Sequence, residues 1–401
     1  MSENETAEAI EALLPAARLD EFRARAPRYD AENAFFYEDL EALRASGYLA
    51  APVPAEFGGA GLSLEQLVLA QRRLSAYAPA TALGVNMHLV WVQVARFLRD
   101  RSRGTDDDGP LDWVLHEAVS GEIFAFGISE AGNDAVLMDS GVVGEPQDDG
   151  SYLVTGTKIF TTLSPVWTRL GVHARSEVPG LDPHLVFGFV RRDEADDVNL
   201  VSGQITHPGT WNPLGMRATQ SWTTRLEGVR IAPADIAARI DPFDGSDPLV
   251  LAIFSSFSIL TAAVYAGIAD RALELAAESV NQKVSTPEGG ETVRLDDPDT
   301  AARLTEAVLR HRESLDALTI LARDIDDARA REDWFLALAA ARIKVTDEAR
   351  AAIDTAMRLI GGSAFQADGE LARLYRDVLA GMFHPSNSRA LAMHVRRTLT
   401  A

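Results

Sequence analysis

The sequence predicts a mainly helical α+β chain in which helices flank a central β-rich block. Three observations predict it. Apolar residues recur at helical spacing up to about Val119; Gly121 to Ile236 is instead built of short β-branched and aromatic runs divided by Gly, Pro and Asp; and long helical patterns return after Pro248. The expected blocks are an N-terminal helical domain over 1–120, a β-domain over 121–236 and a helical bundle over 237–401. With 401 residues, 47% apolar and 24% charged, the chain can bury two or three cores. No internal repeat or low-complexity linker separates the blocks, which favours packing as one unit.

In the first block, "FFYEDLEALRASGYLA" and "SLEQLVLAQRRLSAYA" have the period of amphipathic helices. Between them "APVPAEFGGAGLS" is a Pro- and Gly-rich loop, and Ser63 with Gln66 forms a capping box that starts the next helix. In the second block "GSYLVTGTKIFTT", "HLVFGFVRR" and "SWTTRLEGVRI" read as strands. In the third, Pro248 to Ala269 carries no charge over a bilayer-length span. Ser255, Ser256, Ser258 and Thr261 recur in it, and no second span or basic flank accompanies it, so the expectation is a helix buried in a helical core, not a membrane anchor. "KVSTPEGGETVRLDDPDT" reads as a loop, the next helix aligns Leu304, Val308, His311, Leu315 and Leu318 on one stripe, and "WFLALAAARIKVTDEARAAIDTAMRLI" continues the bundle.

A formal net charge of −21, with no five residues holding more than three Lys or Arg, speaks against a nucleic-acid partner. The chain has no cysteine, hence no disulfide, thiolate nucleophile or iron–sulfur site, and its eight histidines are scattered, so no metal site is expected. The opening "MSENETAEAI" is neither a signal nor a transit peptide, and a cytoplasmic protein is expected. Signatures of Rossmann, P-loop, zinc-protease and α/β-hydrolase enzymes are absent.

Four short segments remain that could carry chemistry. "FAFGISEAGND" runs from an apolar strand into Ser129, Glu130 and Asp134; alone it reads as a strand end with a turn. "GTKIFTT" carries Lys158 and Thr162, and "TWNPLGMRATQS" crowds Trp211, Gly215, Arg217, Thr219 and Ser221 into a stretch too irregular for a strand. In "RLIGGSAFQADGELARLYRDV" the Gly361–Gly362 pair ends one helix ahead of another; such pairs are common caps and also admit a pyrophosphate close to backbone N–H groups.

In this order, with "YLAAPVPAEFGGAGLSLEQL" before them and "AAVYAGIADRALELA" between, the segments resemble the FAD-dependent acyl-CoA dehydrogenase superfamily from about Tyr29 to Asn387. The resemblance implies N-terminal helices, a β-domain and a C-terminal four-helix bundle in a homo-oligomer, dimer or tetramer. It implies that Phe126, Ile128, Ser129, Phe160, Thr161 and Thr162 line the flavin and that Trp211 and Ser221 hold its ribityl and pyrophosphate arm. Arg358, Gly361 and Gly362 would reach the FAD of a neighbouring subunit. The residues that usually contact the adenine end have no clear match in "NQKVSTPEGGETVRL".

The dehydrogenases of this family abstract an α-proton with a glutamate, from one of two positions. Here those positions hold Pro385 and Phe257, and no acid lies between Asp247 and Asp270 or after Asp377. What the tail offers is His384. "GGSAFQADGELARLYRDVLAGMFH" is instead similar to the superfamily's two-component monooxygenases, which use reduced flavin and O2 and for which a histidine is chemically sensible. That likeness brings His88 to the substrate side as well. His384 also reads as a helix-end histidine bonded to backbone, and His88 as a core residue.

The leading expectation is therefore a monooxygenase acting on a small organic molecule, with FAD reduced by a separate flavin reductase. The alternatives are an acyl-CoA or carrier-bound thioester dehydrogenase with an atypical base, served by an electron-transfer flavoprotein, and a non-catalytic subunit of a hetero-oligomer. Phe257, Tyr265 and Phe383 are the expected substrate pocket, and their bulk suits a small or flat ligand.

Overall fold

The computed structural model describes residues 3–103, 109–178, 180, 182–192, 203–285, 292–385 and 392. Six helices come first: α1 (Glu3–Leu13), α2 (Ala16–Glu32), α3 (Tyr37–Ala45), α4 (Leu64–Ser75), α5 (Pro79–Ser102) and α6 (Asp112–Val119). The Ser63–Gln66 capping box forms as the sequence requires, with both reciprocal bonds present at the start of α4. Asp326, 262 residues away, adds a second cap by accepting the N–H groups of Leu64 and Glu65 at 2.9 Å each.

The centre is a mixed sheet. Its strands are β1 (Phe124–Gly127), β2 (Val143–Pro146), β3 (Tyr152–Thr161), β4 (Arg169–Ser176), β5 (His184–Arg191), β6 (Gln204–Thr206), β7 (Trp222–Ile231) and β8 (Ile236–Ile240). They run in the order β6-β7-β3-β2-β4-β5-β8, with β1 joined to β4 in parallel. β4 and β5 are buried along nearly their whole length because helices cover them, which explains why "HLVFGFVRR" has no polar alternation. α5 is the covering helix: Trp91 donates Nε1–H to Ala125 O at 3.0 Å and packs edge-on to Phe189, 4.8 Å between ring centres. That approach needs Gly171 on β4, where a Cβ would lie 2.3 Å from the Trp91 ring.

The chain then returns to helices α7 (Pro248–Gln282), α8 (Pro298–Asp326), α9 (Trp334–Ile360) and α10 (Glu370–Val378). α7 is the long apolar helix, capped by the Asp247 carboxylate and opened by Pro248. It is a core helix: 89% of its most apolar window is buried, among α4, α5, α8 and α9. Buried charge fastens it, since Asp270 accepts from Arg72 of α4 and His311 of α8, at 2.8 Å each.

Two expectations change. The stretch read wholly as a loop after α7 carries at its base a short hairpin, β9 (Val284–Ser285) with β10 (Thr292–Val293). On α8 the buried stripe runs through His311, Ser314, Leu318, Leu321 and Ile325, while Val308 is 44% exposed. The stripe passes through Leu304 and Ala307, which pack against the core, so Val308 falls one position outside it. The acid-free tail beyond Pro385, and residues 286–291 of the loop, lie outside the described residues apart from Ala392.

Candidate functional site

A cavity opens where the sheet, α5, α7 and the end of α10 meet, and it encloses about 940 Å³ of empty space including its mouth. Typical small-molecule sites enclose roughly 300–1,000 Å³. The end of β1 contributes Phe126 and Ser129; the turn closing β3 contributes Phe160 and Thr162; α7 contributes Phe257. The segment ahead of β7 brings Trp211 and Ser221, and the turn after α10 brings Phe383 and His384. A second groove of about 1,160 Å³ adjoins it and shares Phe160, Trp211 and Ser221 as its wall.

The backbone is strained where these walls are built. Of eight non-glycine residues at positive φ among the described residues, three belong to them, Phe160 (55°), Met216 (53°) and Gln220 (45°), and a fourth, Leu163 (67°), follows Thr162. Such conformations persist only where surroundings enforce them, and here they do. Gly215 lies so close to α10 that a Cβ would stand 2.2 Å from Arg376 O, and Asp377 accepts the Met216 N–H at 2.5 Å. Buried Asp377 is pushed up to about 6 by desolvation.

A line of hydroxyls runs down one wall. Thr219 Oγ1 donates to Met216 O at 2.9 Å, which commits its proton. Ser221 Oγ, 2.8 Å from Thr219, must then donate to it, and Thr162 Oγ1, 2.7 Å from Ser221, must donate in turn. Thr162 is left with lone pairs and presents an acceptor. Opposite, His384 Nε2 lies 2.7 Å from the hydroxyl of Tyr265, and its ring meets Phe257 edge-on at 5.9 Å. Phe257 in turn stacks on Phe126, 5.3 Å and 19° apart. Burial, then the Arg342 guanidinium, pull His384 down to about 3, so it is neutral at physiological pH.

Behind the Ser129 wall sits a buried ionic cluster. Lys158, fully buried on β3, pairs with Glu130 and donates to His173 O at 2.8 Å. Glu130 also accepts from Gly141 N–H at 2.6 Å, and Ile159 N–H bonds Ser129 O at 2.9 Å. Burial pulls Lys158 down to about 8 against the opposing pull of Glu130. The cluster pins the loop after β1 to the sheet and so sets where Ser129 and Phe160 stand.

The cavity thus gathers Phe126, Ser129, Phe160, Thr162, Trp211, Ser221, Phe257, Phe383 and His384 from the sequence-predicted set. Ile128, just past β1, and Thr161, at the end of β3, are buried beside it and do not line it. Tyr265 stands behind His384, fully buried. His88 is not brought to the cavity: it is 1% exposed, donates Nε2–H to Leu49 O at 2.9 Å and accepts Phe124 N–H at Nδ1 at 3.1 Å, joining α5 to β1. Burial pulls it down to about 4. Arg358 and Gly362 are exposed and, with Gly361, line neither space, and no atom stands within 4 Å of a Cβ built at either glycine. Sequence reading missed Met87, Leu379 and Arg376 as lining residues. Met87 and Leu379 signalled only through their apolar runs, and Arg376 only through its place in "GELARLYRDV". Arg376 is engaged by Asp30.

The fit to a flavin is good on these observations: a mainly apolar cavity lined by Trp211 and the stacked Phe126 and Phe257, the hydroxyls of Thr162 and Ser221 in its wall, and an adjoining groove that shares Phe160. Comparison with known proteins points the same way. Residues 4–103 match the N-terminal domain model of acyl-CoA dehydrogenases and residues 259–389 match a model of their C-terminal domain. A putative acyl-CoA dehydrogenase, YdbM, of Bacillus subtilis is 27% identical, covering 91% of this chain and 90% of that protein. The L-evernosamine nitrososynthase of a Micromonospora species is 29% identical, covering 92% and 87%. The structure of KijD3 in complex with FMN and dTDP-3-amino-2,3,6-trideoxy-4-keto-3-methyl-D-glucose superposes with a TM-score of 0.78 at 25% identity, covering 98% and 94%.

Proposed function

The chain belongs to the acyl-CoA dehydrogenase superfamily and is a flavin-dependent oxidoreductase, and from that premise we propose that it is a monooxygenase using O2 and a flavin reduced by a separate reductase. One observation carries the reading: among the described residues no carboxylate lines the cavity, whose ionisable side chains are His384 and Arg376. Thioester dehydrogenation needs a strong base beside the substrate, and a histidine held neutral far below pH 7 does not supply one. The relatives named as nitrososynthases favour oxygen chemistry too.

Bound in the slot, reduced flavin would supply the two electrons with which O2 gives one oxygen atom to the substrate and one to water. The protein's part is to hold, orient and dry. Phe126, Phe257 and Trp211 exclude water and favour a flat, uncharged substrate, since Arg376 is neutralised by Asp30. Thr162 offers an acceptor, which suits the N–H-bearing reduced ring better than the oxidised one, and His384 controls a proton from the other side. FAD is the proposed flavin because the adjoining groove leaves room for its longer arm; FMN, the flavin held by KijD3, is the competitor. Exposed Arg358 and Gly362, with half-buried Gly361, would serve the flavin of a second copy, making the cytoplasmic enzyme a homo-oligomer.

The test is stopped-flow spectroscopy of the protein mixed anaerobically with reduced FAD or reduced FMN, then with O2. A transient absorbing species that outlives reoxidation of the free flavin is the expected result. Reoxidation indistinguishable from free flavin, together with anaerobic bleaching of the oxidised holoprotein by an acyl thioester, would overturn the proposal in favour of a dehydrogenase.

A further inference from the structure

We infer that Tyr265 is a positioning residue that fixes His384 as a neutral imidazole with its proton on Nδ1, so that the cavity meets its ligand with a hydrogen-bond donor and not a base. This deepens the proposed function and rests on the cavity being the reaction site. Proton bookkeeping carries it. The Tyr265 hydroxyl is fully buried on α7, and among the described residues its hydrogen-bond partner is His384 Nε2 alone, at 2.7 Å. If Nε2 carried the proton and donated to the tyrosine, the buried O–H would point at nothing, a loss that folded proteins avoid. The tyrosine therefore donates, Nε2 accepts, and the ring proton sits on Nδ1, which has no protein partner among the described residues.

Charge keeps the ring in that state. Arg342 on α9 is 1% exposed and donates Nη2–H to Pro385 O at 2.7 Å, which anchors the backbone next to His384 and sets a cation near its ring. Arg342 is itself pulled down by burial only to about 10 and stays charged. The other ionisable groups packed around the pair give the imidazolium no counter-ion. Arg376 on α10 is paired with Asp30, Asp377 spends Oδ1 on Met216 N–H among Arg373 and Arg376, and Tyr265 is pushed above its ordinary value by burial and stays protonated. The edge-on contact with Phe257 restricts rotation about the ring. His384 is thus a donor across the whole physiological range, suited to an electron-rich oxygen or nitrogen placed in the cavity.

Ring-nitrogen NMR of protein labelled with ¹⁵N-histidine tests this without flavin, the His384 signals being assigned by their loss in His384→Gln. The expected spectrum has His384 with a protonated Nδ1 and a bare Nε2, unchanged from pH 5 to pH 9. In Tyr265→Phe the two nitrogens average toward a mixture of tautomers, and in Arg342→Met the ring begins to titrate within that range. Circular dichroism identifies any variant that fails to fold, in which case the wild-type spectrum decides alone. A wild-type His384 that titrates between pH 5 and pH 8, or that carries its proton on Nε2, overturns the inference, as does a folded Tyr265→Phe with the tautomer unmoved. A fixed Nδ1–H in a protein that forms no long-lived species with O2 and is bleached anaerobically by an acyl thioester would sustain the inference and sink the monooxygenase reading.

Discussion

Asp377 gives a prediction whose magnitude follows from its surroundings. It is 2% exposed on α10, and its carboxyl, pushed up to about 6 by burial against the pull of Met216 N–H and Arg373, holds its proton more tightly folded than unfolded. An unfolded aspartate ionises near pH ~3.9. Below about pH 4 both states are protonated and nothing is lost; between there and about pH 6 the folded state loses ground; above it the deficit is complete at about 3 kcal/mol. Asp377→Asn keeps a carbonyl oxygen for Met216 N–H and removes the ionisation. Urea unfolding followed by tryptophan fluorescence should therefore find it within about 0.5 kcal/mol of wild type at pH 4 and roughly 2–3 kcal/mol more stable at pH 8. Asp377→Ala also strips the acceptor from a buried N–H, so it should fall about 1–3 kcal/mol below the asparagine variant at both values. A pH-independent effect of Asp377→Asn, or a loss of stability at pH 8, would refute the reasoning that the carboxylate is buried at a cost to hold the 211–221 wall.

Gly215→Ala places a methyl 2.2 Å from Arg376 O, backbone that cannot yield locally, so a loss of about 1–3 kcal/mol and weaker flavin binding are expected in thermal melts and flavin titrations. Lys158→Met leaves Glu130 buried without its cation and should cost about 3–5 kcal/mol, much of it regained by adding Glu130→Gln; a double-mutant cycle with no coupling would show the pair to be incidental. Phe257→Ala removes the stack on Phe126 and should cost about 2–4 kcal/mol, at the low side because the ring already borders empty space. Binding of a flat aromatic probe such as indole should weaken at least about tenfold, or about 1.4 kcal/mol, in the same variant; unchanged affinity would place the aromatic subsite elsewhere.

Much of the architecture was legible because it is local. Period, capping and turn chemistry act over three to seven residues, so the helices, the Ser63 cap and the strands around Lys158 and Phe187 could be read from neighbours alone. The buried fate of α7 was legible too, since serines inside an uncharged run are tolerable in a protein core. Errors arose where register matters. Val308 looked buried because its spacing to His311 fits a helical stripe, and only the packing of α8 against α7 and α9, which takes Ala307 instead, leaves it outside.

The site divides in the same way. The lack of an acid at positions 257 and 385, and after Asp377, is a property of the chain and needs no coordinates. Whether His88 or His384 faces the cavity is not, because both sit in apolar contexts and a sequence does not say which face of a helix meets a void. Packing sent His88 to the seam between α5 and β1 and His384 to the cavity wall. Tyr265 and His384 are 119 residues apart, Leu64 and Asp326 262 apart. The sequence by itself determined which side chains exist and which local conformations they prefer. The tertiary structure alone decided which donor faces which acceptor, because a hydrogen bond is set by ångström-scale distance and direction between atoms that no local periodicity relates.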